Sequence, residues 1–554
     1  MWRRVYLQAN RFNRWKFILA IVGCLILLAL VMFRTMSPGP ALAVQIASPP
    51  ASLDPASASS YGEKLIDSAL YETLVAYDPE KHLCQGLLAD KWDISQGGSV
   101  YTFYLRKGLC FHDGAQVTAQ DVKDSWERVL NPGTGNCGYL LDNVVGSDGL
   151  ANGSAKDVSG LVVVDQYTLR VVLKEPDWIF PAVASSPSLA IVSQRAVARY
   201  GPDYGKKVGA VAGTGPFRLV AWDKDKVVLQ RNMRYAGSRP QLKTLTFLVV
   251  NGPQEITGLY EAGKLDVLAE APAQVLSSLS SASGLTPGMK ESGVHAKEGQ
   301  KGFTIFKKPV LNFYFLGFNL KQPPFDQSDI RRALSLAVDR NAVASQLLGG
   351  GARALNGFIP PELTSDEQPD GYQVKQDPGQ ALQAMAGAGY PYGLGLPQLS
   401  YAYNDSPGHD YLAHLLQDQF DKVGVDLQLK KIPWQNYAAS IRSGSYSLFR
   451  LGWDADYADP DNLLYFNFDS AEKQQGNLTG YDNAGFDALL QQARGEQDPE
   501  RRQEIYRKAE QMLLADAPII PLFQQVVLFG LRKGITGFDV DLLGRVDFAQ
   551  INKS

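Results

Sequence analysis

Between Tyr101 and Leu130 the hydrophobic pattern changes its period once. Tyr101, Phe103 and Leu105 alternate with Thr102, Tyr104 and Arg106, the two-residue repeat of a half-buried strand. His112-Asp113-Gly114 supplies a turn. Thr118, with Asp121 three residues on, forms a capping-box-like start, and Val122, Trp126 and Val129 then make a helical stripe. Upstream, Gly97-Gly98 lies between Trp92–Ile94 and Tyr101–Phe103 and predicts that these two segments pair antiparallel.

The rest of the chain reads as two regimes. Val44–Pro55 is a strand and a Ser/Pro/Ala-rich loop, and Tyr61–Leu74 a helix. Strands dominate from Gln85 to about Lys207, with a hairpin at Leu161–Val164 and Thr168–Leu173; Pro216–Gln230 is another hairpin. After the apolar run Pro309–Phe318, helices and strands alternate: Ile330–Leu348 helix, Gly379–Ala388 helix, Leu399–Tyr403 strand, Tyr411–Val423 helix, Val425–Lys430 strand and Arg501–Leu514 helix. Such alternation implies a partly parallel α/β lobe. Ile519–Phe529 is apolar enough to be a strand returning to the first part. The expected fold is therefore α/β with two lobes. One is built from 44–310 plus 527–554 and the other from 311–526, and the crossings near 310 and 527 are hinges.

At 554 residues the chain suits two or three domains. Its 45% hydrophobic and 20% charged composition is that of a globular protein, and a net charge of -3 leaves no basic footprint for nucleic acid. The N-terminus changes that picture. Arg3, Arg4, Arg11, Arg14 and Lys16 precede the apolar run Phe17–Phe33, and no acid occurs before Asp54. Basic residues ahead of an apolar run hold the start in the cytoplasm and send the rest across the membrane. Residues 1–43 are either a signal peptide cleaved at Ala41-Leu42-Ala43 or an uncleaved membrane anchor, the run being at the short end of a spanning helix. Ile21-Val22-Gly23-Cys24 loosely fits a lipobox, but the run continues past Cys24 where a polar tether belongs. Each alternative puts the folded part in the periplasm or on the outer face of the cytoplasmic membrane.

Outside that run lie Cys84, Cys110 and Cys137, an odd set that permits at most one intrachain bridge. Extending the Trp92–Ile94/Tyr101–Phe103 register brings position 84 near 110. The alternatives are a Cys84–Cys110 disulfide and three buried free thiols. No G-x-S-x-G elbow, H-E-x-x-H or Walker loop occurs, and His82, His112, His295, His409 and His414 form no recognisable cluster. Neither an enzyme, a cofactor nor a metal site is expected.

Tyr101–Leu130 resembles the signature region of the family 5 solute-binding proteins, the dipeptide and oligopeptide receptors of ABC importers. Further segments are similar in the same order: Leu88–Trp92, Gly213–Phe217 with Val228–Asn232, Leu259–Val267, Pro324-Phe325 with Arg331–Leu334 and Ala337–Arg340, Val423–Val425, Gly452-Trp453 and Ala517–Pro521. The resemblance implies a type II periplasmic-binding-protein-like fold with an extra subdomain at 85–207 in the first lobe. It implies a monomer that captures peptide between its lobes and delivers it to ABC permease subunits. Other cargo in the same fold (nickel chelate, haem, opine, sugar), a tethered sensor or chaperone, and an exported peptidase are the alternatives.

Arg450 to Asp461 is the richest stretch for binding, with four acids in the eight residues Asp454–Asp461. Taken alone it reads as a solvated acidic loop, a calcium loop without the sixth-position Gly and twelfth-position Glu of an EF-hand, or a receptor for an amine. The resembled receptors carry W-x-x-D here, and Trp453…Asp456 matches, so the resemblance assigns the ligand ammonium to Asp456. Gly452 to Asp454 would offer backbone to the peptide as an added strand. The resemblance places Arg450 and His409 where the ligand carboxylate is met, and makes Trp434 a pocket aromatic. Tyr61 and Tyr139 lie in loops that could line the cleft. Asn312 and Asp454 stand where some relatives have a cysteine pair.

Overall fold

The computed structural model describes residues 40–281, 302–346, 350–364, 374–473 and 476–554. One long strand, Ile519–Arg532, joins its two lobes. The first part of this strand pairs with Asn312–Phe318 and Ala352–Ala354, and the second with Phe303–Pro309 and Val267–Leu268. Its partners change between Gln525, which faces Ala352, and Val526, which faces Pro309. The chain crosses once more between Pro309 and Asn312. There the fully buried Gln524 donates Nε2 to the Val310 carbonyl at 2.8 Å, fastening the two crossings together.

On the second-lobe side the sheet continues from Asn312–Phe318 through Leu448–Asp454 and Leu399–Asn404 to Leu427–Ile432. On the first-lobe side it runs from Val267–Leu268 through Ala41–Ile46, Thr244–Val249 and Lys226–Arg231 to Phe217–Trp222. The pairs Leu399–Asn404/Leu427–Ile432 and Ala41–Ile46/Thr244–Val249 are parallel, as strands joined through helices should be.

A separate four-stranded sheet, Ala89–Ser95, Val100–Leu105, Thr168–Val172 and Leu161–Asp165, stands beside the first lobe. Its pattern is the alternation read from the sequence. Tyr101, Phe103 and Leu105 are buried, and Trp92 and Ile94 face Phe103 and Tyr101. The helix Ala119–Leu130 covers this face. Thr118 caps it, Asp121 returns a bond to the Thr118 N–H at 2.9 Å, and Val122, Trp126 and Val129 point into the core. Trp126 meets Phe103 and Phe180 edge-on and gives its indole N–H to the Leu189 carbonyl. Truncating it to Ala should cost about 3–5 kcal/mol.

Two expectations need correction. Cys84, Cys110 and Cys137 are free, so no Cys84–Cys110 disulfide forms. The pairing register breaks at an irregularity between Ala89 and Lys91, and Leu83–Gly86 folds away to pair with Val75–Asp78, opposing Cys84 to Tyr77. The single helix expected at 330–348 is divided into Ser328–Ala337 and Arg340–Gln346. Val338 is extended, and Asp339 caps the second helix through the Ala342 N–H.

The signal, anchor and lipobox readings of the first 39 residues, and His295, fall outside the described residues. Among the described residues no helix is long and apolar enough to cross a membrane. Ala41–Ala43, the candidate cleavage site, begins the first strand. Leu42 is buried there, and the Ala43 N–H donates to Asp266 Oδ2 at 2.9 Å.

Candidate ligand-binding cleft

The strand Leu448–Asp454 carries the candidate site because its neighbours end at different places. On one side it pairs with Asn312–Phe318 along its whole length, from Leu448↔Phe318 to Asp454↔Asn312. On the other, Leu399–Asn404 pairs only with Leu448 and Phe449. Beyond that point the Arg450 carbonyl is held by the Tyr437 hydroxyl. Among the described residues Gly452–Asp454 has no strand on its second edge, the arrangement on which an extended peptide can add. Gly452 is required where it is: a Cβ there would stand 2.7 Å from the Tyr314 ring. Asp454 and Asn312, cross-strand partners, are joined by a 3.1 Å hydrogen bond from Asn312 Nδ2.

The four acids of this stretch have four different settings. Asp454 meets Asn312. Asp459 caps the helix Pro460–Phe468 through the Asp461 N–H. Asp461, fully buried, takes two bonds from Arg494, at 2.9 Å from Nε and 2.8 Å from Nη2. Asp456 is left with neutral partners. Tyr139 donates its hydroxyl to Asp456 Oδ2 at 2.5 Å, and the Cys137 thiol lies 3.9 Å from Oδ1. Burial raises the Asp456 pKa, against the Tyr139 bond and the charge of the exposed Lys64. Among the described residues no cation forms an ion pair with it.

Asn462 assembles this end of the site. Its Oδ1 accepts from the Asp456 N–H at 2.8 Å and from Trp453 Nε1 at 3.1 Å, while its Nδ2 donates to the Tyr139 hydroxyl at 2.9 Å. Trp453 stacks on Phe466 at 4.3 Å and meets Tyr139 edge-on at 6.1 Å. The sequence reading missed Asn462. Its position at the helix start, six residues past Asp456, was the available signal.

The other end is built around Arg450, which is 8% exposed. Its guanidinium lies over the Tyr314 ring at 4.7 Å, and Tyr314 stacks in turn on Phe523. Nη1 donates to Asn404 Oδ1 at a long 3.3 Å, and the buried Nε has no partner among the described residues. Among the described residues no carboxylate pairs with it. His409, in the first turn of Pro407–Asp421, also has a buried ring nitrogen, Nδ1, without a partner among the described residues. Burial and the Arg450 charge lower its pKa to about 4, so the ring is neutral near pH 7. Trp434 opens the next helix, 63% exposed and stacked on Tyr437.

Tyr139 comes from the short turn Gly138–Leu141 beside the accessory sheet, so its bond to Asp456 spans the lobes. The Trp178 backbone N–H also crosses, to the Arg494 carbonyl at 2.8 Å. Tyr61 is half-buried: its hydroxyl donates to the Gly544 carbonyl and its ring packs on Phe529, against the first-lobe core. The structure thus brings Tyr139, Gly452, Trp453, Asp454 and Asp456 together at one end and Arg450 and His409 at the other, with Trp434 near the latter through Tyr437.

A two-lobed α/β protein whose cleft holds an enclosed carboxylate, an unanswered guanidinium and a free strand edge has the architecture of a solute receptor. The model of the bacterial extracellular solute-binding proteins, family 5 Middle, matches residues 84–475, and the chain belongs to this family. It is 30% identical over 504 residues to the Escherichia coli K12 protein described as "Probable deoxycholate-binding periplasmic protein YgiS", covering 89% of each chain. It is 27% identical to the periplasmic oligopeptide-binding protein OppA of the same strain, over 86% of this chain and 85% of that one. The solved structure of the Escherichia coli murein tripeptide binding protein MppA superposes with a TM-score of 0.73 at 26% identity, covering 93% of this chain and 99% of that one.

Proposed function

We propose that this protein captures peptides with free amino and carboxyl ends in the cleft and delivers them to the permease of an ABC importer, outside the cytoplasmic membrane. The observation that carries the reading is charge placement. Along one strand and its loop, Asp456 is enclosed without a cation and Arg450 without an acid among the described residues. A zwitterionic peptide supplies both missing partners, and the Gly452–Asp454 edge supplies backbone bonds that ignore side-chain identity. Similarity to oligopeptide-binding and murein-tripeptide-binding proteins supports the same cargo.

Ligand stabilises the closed arrangement of lobes 44–310 with 527–554 and 311–526 about the two crossings, and the closed form is what the permease meets. Residues 85–207 act as the first lobe's extra subdomain. The protein works as a monomer and performs no bond chemistry; turnover of a peptide library by the pure protein would refute this. Residues before the first strand stay attached as a membrane anchor. A cut after Ala43 would remove the first part of Ala41–Ile46, including buried Leu42 and the Ala43–Asp266 bond, which weighs against that site.

Mass spectrometry of ligand released from the purified protein, followed by calorimetry with that ligand, tests the cargo. Peptides with free ends are expected. A second reading keeps Arg450 and drops Asp456: a carboxylate ligand without an amine, to which the similarity to the deoxycholate-binding relative points. Release of such a ligand would overturn the peptide reading.

A further inference from the structure

Away from the cleft, the hairpin Phe217–Trp222/Lys226–Arg231 and the loop that follows form a basic groove of about 760 Å3. Arg218, Arg231, Arg234, Arg239 and Lys243 line it. Arg218, Arg234, Arg239 and Lys243 are exposed, and among the described residues none of the five has a carboxylate partner. Their side-chain hydrogen bonds go to neutral atoms: Arg218 to Gln230 Oε1, Arg231 to the Pro240 carbonyl and Arg239 to Met233 Sδ. Asp113, the acid in the lining, is already taken by Arg195 at 3.0 Å. Burial and the charge of Arg239 lower the Arg231 pKa, so the cations crowd one another. Met233 stands among them 69% exposed.

The position of the groove supplies an independent second argument. Lys243 immediately precedes the strand Thr244–Val249, which pairs with Ala41–Ile46, and its N–H donates to the Pro40 carbonyl at 2.7 Å. The chain therefore enters the described fold at the edge of the groove. In the sequence, Phe33, the end of the apolar run, lies seven residues before Pro40, a reach of at most about 25 Å. A membrane holding Phe17–Phe33 would be within reach of this face.

We propose that the groove docks the folded protein onto anionic phospholipid headgroups of the membrane that holds its N-terminal segment. The inference rests on the anchor reading given above. Unanswered guanidinium groups pair with phosphate in forked geometry, and a basic surface beside a membrane-inserted segment is drawn to an anionic bilayer. Met233 adds an apolar contact at the interface. Docked this way, the protein would hold a fixed orientation toward its permease rather than swing on its tether.

The test uses the full chain, reconstituted into phosphatidylcholine vesicles with or without phosphatidylglycerol and followed by amide hydrogen exchange over 217–243. Exchange should slow several-fold with phosphatidylglycerol and recover in high salt. The slowing should disappear in the combined Arg218→Gln, Arg234→Gln, Arg239→Gln protein. Equal rates in the two vesicles, or equal slowing by inorganic phosphate over phosphatidylcholine alone, would overturn the proposal; the second result would make the groove a soluble-anion site. The intact mass of protein taken from cells tests the anchor separately. A mass that includes residues 1–39 supports it, and loss of them overturns it. In that event flotation of the cleaved protein with phosphatidylglycerol vesicles would still support the groove, and its absence would overturn it.

Discussion

The Tyr139 hydroxyl, from the first lobe, donates to Asp456 Oδ2 in the second at 2.5 Å, and the two residues are 317 positions apart. This bond puts a neutral donor where a ligand ammonium is expected. It also fastens the lobes together. The Tyr139 bond offsets only part of the burial that raises the Asp456 pKa; an ammonium brings a full charge and offsets more, so exchanging one for the other favours the ligand.

Asp456→Asn should weaken binding of peptides with a free amino end by about 2–5 kcal/mol, because the ligand charge would enter the cleft unpaired. N-acetylated peptides should bind the native protein weakly and respond little to the substitution. Calorimetry on the four combinations checks this. Equal losses for both peptide types would mean that Asp456 is structural.

Tyr139→Phe removes the hydroxyl and keeps the ring that packs on Trp453 and Phe466. The ligand-free protein should then open, with a larger radius of gyration by small-angle scattering. The peptide-saturated protein should match the native one. If the ligand-free radius does not change, the Tyr139–Asp456 bond does not control closure.

Local features were legible in the sequence and distant ones were not. The Thr118 cap, the Trp92–Phe103 pairing and the Val122–Trp126–Val129 stripe depend on residues within about a dozen positions of one another, so spacing reveals them. The segments that carried the family resemblance prove to be largely architectural. Arg331 gives its guanidinium to the Phe325, Asp516 and Ala517 carbonyls, and Arg340 to those of Ser335 and Pro521. A Cβ on Gly213 would lie 2.1 Å from the Leu70 carbonyl oxygen. The resemblance therefore established the fold more firmly than the site. Tyr139 could be named as a cleft residue but not matched to Asp456, and Tyr61, named on the same grounds, packs against the first-lobe core with its hydroxyl on the Gly544 carbonyl. The missing disulfide has the same cause. A register extrapolated from one hairpin cannot foresee the Ala89/Lys91 irregularity that turns Cys84 toward Tyr77.

Asp67 gives a stability prediction separate from binding. It is buried in the helix Tyr61–Leu70 with neither carboxylate oxygen partnered among the described residues, and burial together with the charges of Asp54 and Glu63 raises its pKa well above the usual range. A carboxyl whose folded pKa is raised costs nothing while protonated in both states. It destabilises the fold as pH climbs above its unfolded value. Asp67→Asn should therefore raise the melting temperature at neutral pH, by about 1–3 kcal/mol of stability, and change little in acid. Thermal scans across pH check this, and a lower melting temperature at pH 7 would contradict it.

The Arg450–His409 pair makes the final prediction, on ligand carboxylates and pH. Arg450→Gln should cost peptides with a free carboxyl end about 2–5 kcal/mol and amidated peptides much less, since amidation removes the anion. His409 adds a pH signature. In the empty cleft burial and the Arg450 charge hold its pKa near 4. A bound carboxylate beside Arg450 offsets that charge and raises the His409 pKa, so binding takes up a proton. Affinity for free-acid peptides should then rise as pH falls through the His409 pKa of the complex, and level off below about 4. Amidated peptides should lack this dependence, and His409→Asn should abolish it for free acids without removing the Arg450 effect. Calorimetry across pH with both peptide forms separates the two residues. If Arg450 is only a structural post on Tyr314, its substitution should lower thermal stability and weaken both ligand forms alike.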